Sequence, residues 1–384
     1  MVHAARNGAS IYEVARRFLV APSTVRFWLR RAENQRLDRV NWSDRPPGRR
    51  EPLNKTSRDL EDLVVTLRRE LKETSALGEY GAAAIRWEFE RRRIRPLLST
   101  RTIGRILERR GALDGRRRVR RPAPPPGWYL PKVAARRAEL DSFDIVEGLV
   151  IRGGMNVEVL NGISLHGGLP TSWPKGAITA KIVVKALLEH WRRHGLPSYV
   201  QCDNDTVFQG AHHHPDTIGR VTRLCLSLKL IPVFTPPQET GFQAAIENFN
   251  GRWQGKVWSR FTHASRRALQ SRSGKFITAS RRRSAARIEN APSRRPFPKD
   301  WRLNLQATPE GCIVFLRRTD SKGQVSLLGH VFPVDTTWPH RLVRAEVDLT
   351  RKRIRFYALR RRDPTYQPLL HEVHYEFPKR RFHE

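Results

Sequence analysis

The chain has 384 residues, 72 of them Lys or Arg against 37 Asp or Glu, for a formal net charge of +35. Its length predicts about two to four domains, and its charge predicts a polyanionic partner, nucleic acid or an anionic membrane surface. The composition excludes the membrane class, since no stretch approaches the ~20 apolar residues of a spanning helix. The first ten residues lack the apolar run of a secretory signal. Cys202, Cys225 and Cys312 are too scattered for a disulfide framework or a CxxC metal site. The expected compartment is therefore the reducing cytoplasm, with association to the nucleoid if the source is bacterial.

Residues 1–45 read as a helix-turn-helix unit. Ile11, Val14, Ala15 and Phe18 fall at helical spacing, and a turn follows near Leu19–Val20. A second helix starts near Pro22, with Ser23 placed to cap it. It turns Val25, Trp28 and Leu29 inward, and Thr24, Arg26, Phe27 and Arg30 outward. Two short helices with a basic outer face suit entry into a DNA groove, and Ser23, Thr24, Arg26 and Arg30 are the candidate DNA-binding residues. An ordinary helical hairpin with a solvated charged face is the alternative. Ala15, the Leu19–Val20 turn and Val25 resemble the helix-turn-helix of transposases.

Residues 33–56, with Pro46, Pro47 and Gly48, read as a linker. Residues 57–113 predict a second helical unit. Leu60, Leu63, Val64 and Leu67 form one apolar stripe, and Ala84, Ile85 and Phe89 another. A last helix, capped by Ser99 or Thr100 and closed by Gly111, keeps Ile103, Ile106 and Leu107 inside and presents Arg101, Arg105 and Arg109. This segment resembles the second helix-turn-helix of many insertion-sequence transposases, and a structural three-helix bundle would carry the same stripes. Arg101 and Arg105 join the candidate DNA-binding residues. Residues 114–137 form a basic, Pro-rich connector whose Arg116, Arg117, Arg118, Arg120 and Arg121 suit a phosphate backbone or simple solvation.

In residues 138–265 the charge falls, and strands alternate with helices. LDSFDIVEGLVI and MNVEVLNGISLHGGL read as strands, AITAKIVVKALLEHWRRHG as a helix ending at Gly195, and PSYVQCDND as a buried strand running into polar residues. A helix over DTIGRVTRLCLSLKL, a strand over IPVFTP and a helix over GFQAAIENFNGRWQGKVW complete a mixed α/β order. Three acids stand out: Asp144 within a strand, Asp203 at a strand end, where open α/β sheets gather ligands, and Glu247 on a helix. Carboxylates far apart in sequence but converging in space suit Mg²⁺ (or Mn²⁺), which takes oxygen ligands and leaves room for phosphate and water. Such ions activate an attacking oxygen and stabilise a leaving one at phosphorus.

QCDNDTVFQG (201–210) and PPQETGFQAAIENFNGRW (236–253) resemble the catalytic core of retroviral-type integrases and insertion-sequence transposases, the Asp-Asp-Glu enzymes of ribonuclease-H-like fold. The resemblance implies Asp203 as second acid, Glu247 as third and Asp144 as first, with all three as metal ligands and catalytic residues. Asp141 competes with Asp144 by register. Glu239 stands 36 positions after Asp203, the family's common spacing, and Glu247 stands 44 after it. A loop around GAHHHPDTIG would absorb the excess, and Glu247 has the better helical context. Asp205 stands where the family often has Gly, and Asn161 where it commonly has Asp at the end of the second strand. His212, His213 and His214 read as a polar loop, since adjacent histidines do not easily face one ion. Lys256 and Arg260, downstream of Glu247, are candidates for holding DNA near the metal.

Residues 266–300 predict a basic linker, with room for a helix within it, and the short alternating segments of 301–384 a small β-barrel. The expected fold is thus multidomain: an all-α helix-turn-helix region, a central α/β ribonuclease-H-like core and a C-terminal barrel. The expected function is metal-dependent cleavage and joining of mobile-element DNA ends by a homo-oligomer on duplex DNA. A non-catalytic DNA-binding regulator or decayed transposase is the alternative, and a nuclease for RNA–DNA hybrids a third reading.

Overall fold

The computed structural model describes residues 1–33, 35–43, 56–113, 125–211 and 214–383. The sequence features at Pro46, Pro47 and Gly48, at Arg116 to Arg121, and at His212 and His213 lie outside the described residues. Met1–Glu61 and Asp62–Glu384 are two compact units.

The first unit holds α1 (Val2–Arg6), α2 (Ile11–Arg17) and α3 (Pro22–Ala32). Ser10 caps α2 by accepting from the Glu13 amide, and Glu13 stands in the first turn, where the helix dipole favours an acid. The turn into α3 passes through Leu19 at φ 52. Val14, Ala15 and Val25 form the small core. Ser23 does not cap α3. Ala21 takes that position without a side-chain bond, Pro22 fills the first helical turn, and Ser23 lies exposed inside it. The helix α1 had no signal in the sequence, because its five residues bury one side chain, Val2.

The division falls inside α4 (Arg58–Thr74), most of which belongs to the second unit with α5 (Ala82–Arg91) and α6 (Thr100–Arg109). Ser99 is the cap of α6, accepting from the Thr102 amide, and Ile103, Ile106 and Leu107 are buried. A short α7 (Pro131–Ala134) leads into β1 (Leu140–Ile151), β2 (Met155–Ser164) and β3 (Pro170–Lys175). Next come α8 (Ala180–His194), β4 (Tyr199–Cys202), α9 (Thr206–Gln209), α10 (Arg220–Ser227) and β5 (Ile231–Phe234). Then α11 (Ala244–Trp253) runs into a π-helical turn, Gln254–Trp258, followed by α12 (Arg266–Arg283) and α13 (Ala285–Glu289). The strands β6 (Cys312–Arg318), β7 (Gln324–Leu327), β8 (His330–Pro333), β9 (Leu342–Asp348), β10 (Arg353–Ala358) and β11 (Leu369–His374) end the chain.

Nine strands form one sheet in the order β11-β10-β9-β6-β5-β4-β1-β2-β3, while β7 and β8 pair apart. Strands β1, β4, β5 and β6 are mutually parallel along that order, flanked by antiparallel strands on both sides. Side chains alternate faces along a strand. Phe143 and Leu160 therefore join α8 and α10 in one core, and Val146, Val157 and Val159 join α11 and α12 in another. Pro170 and Pro174 hid β3 in the sequence, and they are tolerated because β3 is an edge strand.

The C-terminal segment does not form the expected separate barrel among the described residues. Its strands β6, β9, β10 and β11 extend the central sheet instead, because β6 is apolar on both faces. Ile313 and Phe315 enter the α8–α10 core, and Val314 and Leu316 enter a third cluster with Trp128, Tyr129 and Phe242. Four fully buried side chains contribute about 6–12 kcal/mol, comparable with the whole stability of a domain. Residues 266–300, read as a helix plus linker, start with the 18-residue helix α12, whose Leu269, Phe276 and Ile277 are core residues. A chain truncated after residue 300 should therefore lose cooperative thermal unfolding by calorimetry. A fragment that melts like the full chain would mean that the C-terminal strands are a dispensable appendage.

Candidate active site

Asp144 lies near the middle of β1, opposite Asn161 of β2, on the face covered by α11. Asp203 follows the last residue of β4, which pairs in parallel with β1. Glu247 stands exposed in the first turn of α11. The fold thus brings the three predicted acids to one region of the sheet, near enough for Asp203 and Glu247 both to act on Asp144. Burial and then the charge of Asp203 push the Asp144 carboxyl up to about 6, with a further upward push from Glu247. Burial also raises Asp203, assisted by Asp205 and Glu147. None of the three makes an ion pair among the described residues.

Neighbouring polar groups orient these acids. Asn250, one turn after Glu247, donates from Nδ2 to Asp144 Oδ2 at 2.6 Å, and its own Oδ1 accepts from Asn161 Nδ2 at 2.9 Å. This fixes the amide polarity, since only a donor suits a carboxylate. Asn161 is fully buried and its Oδ1 has no partner. Asp203 Oδ1 accepts the Asp205 amide at 3.1 Å, and Asp205 caps α9. Asn204 Nδ2 donates to the Thr235 carbonyl at 2.7 Å, while its Oδ1 accepts from Arg317 of β6 at 2.9 Å. Arg317 is itself buried, which lowers its pKa to about 10. A strand from the C-terminal segment therefore braces the loop of the second acid, which periodicity alone could not reveal. Glu147 was also missed. It occupies a β-bulge with Gly148, where β1 shifts register against β2.

The competing acids are committed elsewhere. Asp141 is buried against Arg294, whose Nη1 donates at 2.9 Å, with Trp191 Nε1 at 3.3 Å and His190 Nε2 at 3.6 Å. Burial opposes its ionisation, but the Arg294 charge and these contacts hold it well below the usual carboxylate range. Glu239 accepts from Arg318 and from Arg361, the latter at 3.2 Å.

Gly210 and Gly219 bound the segment that was expected to hold the extra positions between Asp203 and Glu247. The chain leaves at Gly210 and returns at Gly219, where the Gly219 amide donates to the Gln209 carbonyl at 2.7 Å. A Cβ on Gly210, at φ +96, would sit 2.4 Å from the Gly219 nitrogen, so the pinch requires glycine. Asp216 ties this excursion down by accepting from Tyr375 at 2.7 Å and contacting His330 at 2.9 Å.

Lys256 and Arg260, expected to hold DNA, donate instead to backbone carbonyls after and at the end of α4. Lys256 Nζ reaches Gly78 at 2.9 Å, and Arg260 reaches Ser75 at 2.6 Å and Glu73 at 2.9 Å. Their cations anchor the helical segment onto the π-helical turn. Of the helix-turn-helix candidates, Arg26 and Arg30 are exposed on α3, with Arg26 6.0 Å from the Tyr12 ring, and Thr24 is half-buried. Arg101 and Arg105 are exposed on α6.

The donor set suits a hard divalent cation, being carboxylate oxygens without thiolate or imidazole. The electrostatics suit it too, since Asp144 and Asp203 hold unneutralised charge that a cation would relieve. Among the described residues no three Asp, Glu, His or Cys side chains stand together closely enough to hold an ion. The fit is therefore that of the Asp144–Asp203 pair, with Glu247 exerting the weaker field on Asp144.

Among solved structures, the chain is similar to the simian T-cell lymphotropic virus intasome in complex with PP2A regulatory subunit B56 gamma. The identity is 14% over 69% of this chain and 84% of that one, with a TM-score of 0.34. It is also similar to the HTLV-2 integrase catalytic core domain in complex with magnesium, at 13% identity over 36% of this chain and 82% of that one, with a TM-score of 0.28. The catalytic core domain of BIV integrase matches at 15% identity over 36% and 81%, with a TM-score of 0.26. No protein-family model and no curated protein matches. No helix among the described residues is long and apolar enough to cross a membrane.

The raised pKa of Asp144 makes stability depend on pH. An unfolded Asp releases its proton near pH 3.9, whereas folded Asp144 holds it up to about 6. The folded state binds more protons between those values, so stability from this group falls as pH rises through that window and stays low above it. Asp144→Asn removes the penalty. Without divalent ions the variant should be more stable at pH 7.5 by about 1–2 kcal/mol, discounted for partial exposure, with no difference near pH 4. Calorimetry at the two pH values checks this, and a less stable variant at pH 7.5 would contradict it.

Proposed function

We propose that this chain is a DNA strand transferase of the transposase/integrase type, working as a homo-oligomer on duplex DNA. The observation that carries the reading is the unneutralised pair Asp144 and Asp203, with Glu247 nearby, in a chain of net charge +35. Loose carboxylates in such a chain would normally attract an arginine, as Asp141 and Glu239 have done. Their exclusion from pairing keeps a site open for a divalent cation and a phosphodiester.

In this reading Asp144 and Asp203 hold Mg²⁺ or Mn²⁺, and Glu247 from α11 supplies the third carboxylate. The ion, when bound, supplies Lewis acidity at the phosphorus and a lowered pKa for the attacking hydroxyl. Asn250, backed by Asn161, holds Asp144 in its ionised, acceptor orientation. Arg317 and Asn204 fix the loop that carries Asp203. The exposed cations of α3 and α6, Arg26, Arg30, Arg101 and Arg105, contact DNA, with Ser23 and Thr24 beside them. The non-catalytic DNA-binding reading keeps one observation in its favour, the absence of a gathered three-acid cluster among the described residues.

The test is strand transfer with the full chain, Mg²⁺ or Mn²⁺ and DNA carrying the element's own ends. Joined product should fall at least ~100-fold in Asp203→Asn and Glu247→Gln, with DNA binding retained, and persist in Glu239→Gln. Loss in Glu239→Gln with retention in Glu247→Gln would move the third carboxylate to the loop. Binding without any joined product in the parent chain would establish the non-catalytic reading.

A further inference from the structure

The helix α12 carries seven basic residues and no acidic one. Its inner side packs Leu269, Phe276 and Ile277 with α11 and the sheet face that bears Asp144. Several of its cations are engaged. Arg272 lies 3.8 Å from the Phe261 ring centre, Arg281 Nε donates to the Pro170 carbonyl at 3.1 Å, and Arg283 is 3.8 Å from Glu79. Arg267, Lys275 and Arg282 are different: all three are exposed and have no hydrogen bond, ion pair or ring contact among the described residues.

At about 100° per residue these three fall within an arc of roughly 80°, spaced about 10–12 Å along the axis. The exposed residues between them on that stripe are Ser271, Gly274 and Thr278, all small. Among the described residues nothing bulky on the stripe separates the row of cations from an approaching surface, and no acid pairs with it. A rigid cationic row about two helical turns per step repels itself unless a rigid row of anions meets it. Duplex DNA, with about one charge per 1.7 Å of axis, is such a partner.

We propose that Arg267, Lys275 and Arg282 of α12 form a docking stripe for the sugar-phosphate backbone of duplex DNA, on the same face of the sheet as the carboxylates. The stripe rests on the DNA-joining reading and supplies the positioning contact that Lys256 and Arg260 do not. It makes no base contacts, so its contribution is independent of sequence.

The test is fluorescence anisotropy of the full chain with a duplex of about 30 base pairs and arbitrary sequence, titrated between about 50 and 300 mM NaCl. The variant Arg267→Ala/Lys275→Ala/Arg282→Ala is compared with Lys181→Ala/Lys185→Ala/Arg193→Ala, which removes the same charge from α8 on the opposite face. Each lost phosphate contact flattens the plot of log affinity against log salt by about 0.9, so the α12 variant should be shallower by about 2–3 and bind about tenfold more weakly or worse near 150 mM. The α8 variant should keep the parent slope, and both variants should keep the parent Tm. A parent slope in the α12 variant, or an equal loss in the α8 variant, overturns the stripe. So does binding of the parent to phosphatidylserine vesicles, lost in the α12 variant, while duplex binding stays unchanged. Failure of the parent chain to bind duplex at all would instead overturn the DNA-joining reading beneath it.

Discussion

Two like charges held close together on neighbouring parallel strands organise the centre of this molecule. Asp144 comes from β1 and Asp203 from the end of its parallel neighbour β4, so main-chain pairing rather than side-chain attraction keeps them near each other. Both carboxyls are partly withdrawn from water, and both are pushed toward their protonated forms. Such an arrangement costs stability unless something positive arrives. The surroundings withhold that positive charge. Asn161 and Asn250 are neutral amides, and the nearby Arg317 is turned onto Asn204 and the Thr235 carbonyl. The local conflict is sustained by the rest of the sheet, including the four core residues of β6.

Part of this was legible in the sequence and part was not, for physical reasons. The first two strands, α8 with its Gly195 stop, β4, β5 and α11 follow from periodicity and punctuation, because each is long or strongly patterned. The three acids stood out by strand and helix context, and their order as first, second and third came from the resemblance carried by QCDNDTVFQG and PPQETGFQAAIENFNGRW. Choosing between Asp141 and Asp144 needed the partner of each, and Arg294 lies 153 residues from Asp141. The same is true of Glu239, whose guanidinium partners come from Arg318 and Arg361. No local rule reaches that far.

The C-terminal segment misled for a related reason. Short alternating strands with turns read as a barrel, and period-two patterning cannot say which sheet a strand will join. The doubly apolar run Ile313–Leu316 was the available signal, since a strand buried on both faces belongs inside a sheet. Lys256 and Arg260 show the limit of reading charge from sequence. A cation beside a catalytic helix is equally suited to phosphate and to carbonyls at the end of a neighbouring helix, and here carbonyls hold both side chains. Between Asp203 and Glu247 the backbone closes on itself at Gly210 and Gly219, a contact that counting positions along the sequence does not display.

The account stands on the claim that Asp144 and Asp203 form a cation site, and binding of Mn²⁺ tests it most directly. Electron paramagnetic resonance of Mn²⁺ titrated into the full chain at neutral pH reads free against bound ion without requiring any DNA. The parent chain should bind the ion saturably, and Asp144→Asn/Asp203→Asn should show only unsaturable background. Equal uptake by the two proteins would show that the paired carboxylates do not hold the ion, and the catalytic reading would fall with them.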